Sequence, residues 1–229
     1  MEDRDRFILS KGHAGIAYAP VLCDFGYNDP EQLKTFNLTN SKMGIHLDSN
    51  KVAGVDASTG SLGHGIPIAA GTAIAARVLG KDYYTYVVTG DGELDEGSNW
   101  EGLMTIRHYN LTNCITIVDR NHCMIDGNTE DVMKLEPLAD KFVAFGFHTI
   151  VCEGNNIVSL CKAIDEAHKT KDKPTVIVAD TIKGVGIKLT SGNYKWHYGA
   201  IDEEMAKVAA KDLDEYSAER IARCGKEFE

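Results

Sequence analysis

The sequence predicts an α/β fold: a parallel β-sheet with helices packed on both faces. From about residue 80 onward, strand-like runs alternate with helical segments. The strand runs are almost continuously apolar, as strands buried on both sides are. Three polar or glycine-containing clusters follow them, Gly90-Asp91-Gly92, Asp119-Arg120-Asn121 and the segment after Asp180. In such sheets ligands bind beyond the carboxyl ends of the strands.

Each element has its own signal. Before residue 80 the chain reads as loop-rich with short helices. Asn28-Asp29-Pro30 marks a helix start, with proline in the first turn. Residues 65–79 are rich in Ala and Ile and predict a buried helix. Residues 84–89 predict a strand. Residues 96–109 predict a helix with Trp100, Leu103 and Met104 on one face, and 115–119 predict the next strand. Leu138, Phe142 and Phe145 mark a helix entered at Pro137 and closed by Gly146. Residues 147–151 form a third strand. Ile157, Leu160, Cys161 and Ile164 follow the spacing of an amphipathic helix whose wet side carries Lys162, Asp165, Glu166 and Lys169. Residues 175–179 form a fourth strand. Residues 202–229 read as one or two amphipathic helices that cap the domain or meet a partner.

The chain has 229 residues, a net charge of −10 and 43% hydrophobic residues, which suits a single domain spanning 1–229. The acidic balance argues against nucleic-acid binding, which needs clustered Lys and Arg. No apolar run reaches the roughly 20 residues of a membrane span. The charged start has no secretory h-region, so a cytoplasmic setting is expected. The six cysteines (Cys23, Cys114, Cys123, Cys152, Cys161 and Cys224) form no Cys-x-x-Cys pair, so most are expected to be reduced and structural.

Gly90-Asp91-Gly92-Glu93 sits where a strand stops and a helix follows. A helix start favours phosphate, yet Asp91, Glu93, Asp95 and Glu96 crowd the same place with negative charge. A divalent cation resolves that conflict. One helix and one strand later, Asn121 returns beside Asp91 if the two strands are parallel neighbours. A carboxylate, an amide oxygen and a backbone carbonyl suit magnesium. The pattern therefore reads as a diphosphate held through a metal. His108, His148 and His168 lie in helix or strand patterns and read as ordinary structural histidines. His122, beside Asn121, is left open. His13 and His197 sit among glycines and loop residues, where a polar site is plausible on local grounds. The stretch 181–200, with Gly184, Gly186, Gly192 and Gly199, is long for a loop and is expected to serve function.

Gly-Asp-Gly followed some thirty residues on by Asn resembles the thiamine-diphosphate motif. The run from Gly90 to Glu101, with Ile117-Val-Asp-Arg-Asn121 and Asp126-Gly127, resembles transketolase, and more narrowly the amino-terminal subunit of a split transketolase. Arg6-Phe-Ile-Leu-Ser-Lys-Gly-His13, Thr59-Gly-Ser-Leu-Gly63, Lys173-Pro-Thr-Val and Trp196-His197 agree in the same order, so the resemblance spans about residues 5 to 200. It implies thiamine diphosphate and Mg2+ (or Ca2+ or Mn2+) as cofactors. Asp91 and Asn121 would bind the metal by side chain and Cys123 by its backbone carbonyl. Gly92 would lend its N–H to a phosphate, with Glu93 beside it in the cofactor site. Gly60 and Leu62 would touch the aminopyrimidine side. His13 and His197 would sit by the cofactor, and His46 would contact substrate hydroxyl groups. Glu96 would lie at a subunit interface that links paired active sites, with Glu101 supporting it. His64 stands where the family often has Gln. Ile45 and Leu47 flank His46 where the family often has Gly and Pro, and the chain starts after the point where the family usually carries a Ser-Gly-His-Pro-Gly segment, either because it is truncated or because its clade lacks that segment.

The activity implied is transfer of a two-carbon ketol unit from a ketose, or its phosphate, to an aldose. The pyrimidine-binding domain, with its glutamate, is expected on a separate carboxyl-terminal subunit, in a heterotetramer of two plus two chains. The 181–200 loop is expected to cover the diphosphate and to order when cofactor and partner bind. The alternatives are the alpha subunit of a 2-oxo acid dehydrogenase, a non-catalytic scaffold subunit and a magnesium-dependent phosphohydrolase.

Overall fold

The computed structural model describes the backbone of residues 3–224 and side chains as far as Ala222. Five parallel strands form one sheet: β1 (Arg6–Leu9), β2 (Thr85–Gly90), β3 (Cys114–Arg120), β4 (His148–Glu153) and β5 (Thr175–Asp180), in the order β1-β2-β3-β5-β4. The four expected strands are present within a residue or two. The edge strand β1 was not expected, because four residues starting on an arginine are too short to show a period. Its register is set from outside: Ile8 pairs with Val87 of β2, and Asp56 accepts the Phe7 N–H at 2.8 Å.

The helices are α1 (Gly15–Asp24), α2 (Gly65–Val78), α3 (Gly97–His108), α4 (Thr129–Val132), α5 (Leu138–Ala144), α6 (Ile157–Lys169) and α7 (Glu203–Cys224). Alternation along the strands divides them between two layers. Ile8, Val87, Cys114, Val118, Val176 and Val178 meet α2, α3 and α5 in the main core. On the other face Ile115 and Ile177 meet Ala163 and Ala167 of α6. A satellite core gathers Ala19, Leu22 and Cys23 of α1 with Met43, Leu47, Val52 and Val55.

Several boundaries have visible causes. The Asp29 side chain accepts the Glu31 N–H at 2.9 Å and caps the short 3-10 turn Pro30–Thr35. Asn156 caps α6 through the N–H groups of Val158 and Ser159. Gly146, at φ +89°, ends the α5 region.

Two expectations about helix faces need correction. Met104 is 59% exposed; the buried stripe of α3 is Asn99, Gly102, Leu103 and Ile106. Trp100 is half-buried, stacked on Phe142 with its indole N–H on the Leu94 carbonyl at 2.8 Å. Helix α2 buries only its Ile66–Ala69–Ala70–Ala73–Ala76 side and leaves Val78 exposed. Apart from Thr72 and Arg77 its residues are apolar or glycine, so the hydrophobic pattern could not say which side faces the sheet.

In the carboxyl-terminal stretch 202–229, Glu203–Cys224 form a single helix, α7, and residues 225–229 lie outside the described residues. Cys23, Cys114 and Cys123 are buried, while Cys152 is half-buried and Cys161 exposed; none of the five is disulfide-bonded. The Cys224 side chain lies outside the described residues. Among the described residues no helix is long and apolar enough to cross a membrane.

Candidate cofactor and metal site

Parallel pairing of β2 with β3 sets Gly90 opposite Asp119, so the Asp91 and Asn121 turns emerge side by side at one edge of the sheet. Asp91 is 1% exposed. Its Oδ1 accepts the Gly92 N–H at 2.8 Å. Its Oδ2 accepts the His122 N–H at 2.7 Å and Arg120 Nη1 at 2.9 Å. Burial nevertheless raises the Asp91 carboxyl above the ordinary aspartate value, outweighing the bonds from Arg120, Gly92 and His122. Asn121 turns its Oδ1 to the Cys123 N–H at 3.1 Å and its amide nitrogen to Asp119 at 3.2 Å. His122 takes the left-handed conformation at φ +62° and points its ring to Asp180, 2.6 Å away.

A cavity of about 280 Å3 opens above these turns. Lys11, His13, Leu62, Asp91, Asn121 and His197 are among its walls, as are Gly92, Glu93, Asp95, Cys123, Met124, Ile125 and Lys183. The His13 and His197 rings lie 5.0 Å apart. Burial, then the neighbouring His197 and Lys11, push the His13 imidazole down to about 4. His197 is lowered in the same way by burial, Lys183 and Lys11. Both rings are therefore neutral near pH 7, and each keeps one nitrogen free to accept a hydrogen bond. His197 Nδ1 is buried without a hydrogen-bond partner, which leaves it for a ligand atom, as donor or acceptor according to the tautomer.

Lys11 pairs with Asp119, and Thr181 also donates to that carboxylate. Burial works against the charged Asp119, but Lys11 and the bonds from Thr181 and Asn121 together hold it below the ordinary value. Lys183 makes no ion pair among the described residues, and its pKa is lowered by burial and by Lys11. A half-buried ammonium without a carboxylate calls for an anionic ligand. Neither lysine was singled out from the sequence. The signal was there: Lys11 follows β1 and Lys183 follows β5, both at the carboxyl ends of parallel strands.

Among the described residues no three His, Cys, Asp or Glu side chains cluster as a metal site. The donors that do converge are hard oxygens. Asp91 Oδ1 and Asn121 Oδ1 each accept one protein hydrogen bond, which leaves each a lone pair. That fits magnesium completed by ligand oxygens better than a closed protein cage. A Cβ at Gly92 would come within 2.9 Å of Met124, so the turn closes tightly on that side.

Other expected site residues lie elsewhere. Gly60, His46 and Glu96 do not line the cavity. The His46 ring lies against Gly60, where an added Cβ would stand 3.2 Å away. Glu96 is the exposed N-cap residue of α3, and Glu101 is exposed on the same helix. His64 is exposed at the start of α2 and makes no capping bond. Leu47 is buried in the satellite core, 4% exposed, so its presence beside His46 serves packing.

The comparisons with known proteins agree with this geometry. Residues 1–218 match the family described as transketolase, thiamine diphosphate binding domain. An apulose-4-phosphate transketolase subunit from Actinobacillus succinogenes is 40% identical over 211 residues, 92% of this chain and 76% of that protein. The 6-deoxy-6-sulfo-D-fructose transketolase subunit SqwG of a Clostridium species is 38% identical over 94% of this chain and 78% of its own length. Transketolase from Campylobacter jejuni superposes with a TM-score of 0.85 at 31% identity, covering 93% of this chain and 34% of that one. The chain thus spans about three quarters of its split-subunit relatives and about a third of the transketolase chains of known structure. This chain belongs to the transketolase family, as a thiamine diphosphate-binding amino-terminal domain.

Proposed function

We propose that the chain is the diphosphate- and metal-holding subunit of a split transketolase, moving a two-carbon ketol unit from a ketose to an aldose. The single observation that supports this most is the convergence of Asp91, Asn121, Lys11, Lys183, His13 and His197 on one cavity at the strand ends. Thiamine diphosphate supplies, when bound, the electron sink for carbon–carbon cleavage that side chains lack.

Asp91, Asn121 and the Cys123 carbonyl hold the magnesium. Lys11, Lys183 and the Gly92 N–H carry the diphosphate; that N–H now donates to Asp91 and is shared when the ligand enters. Neutral His13 and His197 accept or return protons beside the cofactor, and His46 binds substrate hydroxyls. Gly60 and Leu62 meet the aminopyrimidine, with Leu62, Met124 and Ile125 excluding water. The whole chain is one domain, with α7 as its cap and the 181–200 loop as its cover. Glu96 and Glu101, exposed on α3, face a second subunit that carries the pyrimidine-binding domain, in a two-plus-two assembly. Two relatives act on sugars with a terminal phosphate or sulfonate, which supports a ketose bearing a terminal anion as substrate. The family match favours this reading over a 2-oxo acid dehydrogenase subunit.

The deciding experiment is calorimetric titration of thiamine diphosphate with Mg2+, with and without the protein encoded beside this one. Tight binding only with the partner, followed by ketol transfer, is the expected result. No binding in either case removes the cofactor reading, and full turnover by this chain alone removes the split assembly.

A further inference from the structure

Glu93 lines the cavity, yet its carboxylate is spent within the protein. It is 3% exposed. Oε1 accepts the Gly63 N–H at 3.0 Å and the Ser10 hydroxyl. Oε2 accepts the Thr89 hydroxyl at 2.8 Å and the Gly90 N–H at 3.1 Å. Ser10 Oγ itself accepts the Gly65 N–H at 3.1 Å, so its proton is directed to Glu93. Four hydrogen-bond partners from the protein therefore meet one buried carboxyl group and occupy both of its oxygens. The backbone end is fixed too, since Asn99 donates to the Glu93 carbonyl at 2.6 Å.

These donors come from separate parts of the chain: the end of β1, the end of β2 and the 59–63 loop. Gly63 is held from both sides, because the Ser98 hydroxyl donates to its carbonyl at 2.9 Å. It sits at φ +86°, and an added Cβ would lie 2.7 Å from Glu96. The two strand ends are already locked by the sheet. The loop is tied to β1 at its start, where the Thr59 hydroxyl donates to the Leu9 carbonyl at 2.6 Å, and at its far end the carboxylate supplies the acceptor for the Gly63 N–H.

We propose that Glu93 is a positioning residue that sets the distance between the 59–63 loop and the Gly90–Gly92 turn, and so aligns the two ends of the cofactor site. This rests on the cofactor reading above, in which the loop meets the heterocyclic end and the turn meets the diphosphate. Glu93→Gln tests it. An amide nitrogen must face either Gly63 or Gly90, and a backbone N–H cannot reverse to accept from it. The loop yields, because the strand end is fixed by the sheet.

Affinity is measured by calorimetry for two probes, magnesium diphosphate and magnesium thiamine diphosphate, in whichever state the native protein binds them. Glu93→Gln is expected to weaken thiamine diphosphate about tenfold or more, the scale of one unsatisfied buried donor. Magnesium diphosphate should stay within about twofold, which is within experimental scatter on that energy scale. Amide hydrogen exchange should quicken at Gly63 and not at Gly90. Equal losses for both probes, or no loss for either, overturn the proposal. If the Gln variant does not fold, Ser10→Ala, which removes the other donor to the carboxylate oxygen that holds Gly63, should show the same selective loss at smaller size; unchanged affinities there overturn it as well. A native protein that binds neither probe, with or without its partner, removes the cofactor reading itself.

Discussion

His13 lies in surroundings that on balance disfavour its proton, with only Glu93 among the named neighbours favouring it. It is half-buried, faces the His197 ring 5.0 Å away, and stands near Lys11 and Lys183. The folded chain therefore resists protonating it until about pH 4, while the unfolded chain takes up the proton near the ordinary histidine value of 6.5. Between those values the unfolded state binds more protons, so this residue's contribution to stability is full above about 6.5 and is lost as pH falls toward 4. We predict that thermal unfolding of the native chain weakens across that window and that His13→Asn flattens the decline. Parallel profiles for the two proteins would show that His13 does not titrate with folding. The other histidines show how little their sequence setting distinguishes them. His168 bonds Tyr86 at 2.6 Å and His148 bonds Glu166 at 3.0 Å, as expected of structural residues, whereas His122 had to be seen to be assigned to Asp180.

The β2–α3–β3 crossover brings the Asp91 and Asn121 turns together, and Arg120 at the end of β3 is what ties them to the next element. Its guanidinium is 3% exposed and reaches Asp91, Thr129 of α4, Glu130 and Glu136. The Asp91 side of that cluster is buried on both partners. Removing one partner of a buried pair leaves a charge without compensation, which typically costs about 3–5 kcal/mol. Arg120→Met is predicted to lower stability by about 3 kcal/mol in urea unfolding and to weaken magnesium-dependent cofactor binding, because Asp91 loses the cation that opposes its protonation. A loss below about 1 kcal/mol would place Arg120 with the ordinary surface pairs. The sequence marked Asp119-Arg120-Asn121 as a strand-end cluster but could not say that the arginine turns inward, since strand period alone does not show which partner lies across a turn.

At the scale of the whole molecule, α7 holds the loop that carries Lys183 and His197. Asp212 accepts the Lys188 N–H at 2.9 Å, and Lys188 Nζ pairs with Asp212 and Glu215. Gly186 packs against Leu213 and Tyr216, and Arg220 donates to the Asn155 carbonyl. Between 24 and 30 residues of chain separate Gly186 and Lys188 from their anchors on α7, so none was visible as a local pattern. Asp212→Ala is predicted to raise protease nicking within residues 181–200 several-fold while the sheet melts at the native temperature, because local opening costs far less than global unfolding. Unchanged nicking would show that α7 does not restrain the loop.

The sequence by itself determined the parallel α/β class, four of the strands, the ends of α2, α3 and α5, and the placement of Asn121 beside Asp91. Each depends on period, on glycine and proline, or on one crossover length, all of which are local. The tertiary structure decided the edge strand β1, the buried side of α2, the outward turn of Met104, the roles of Lys11 and Lys183 beside the cavity, and the wrapping of Glu93. These depend on which side chains meet across the fold. Such meetings are set by packing and by the satisfaction of buried polar groups, and nothing in the spacing of residues along the chain records them.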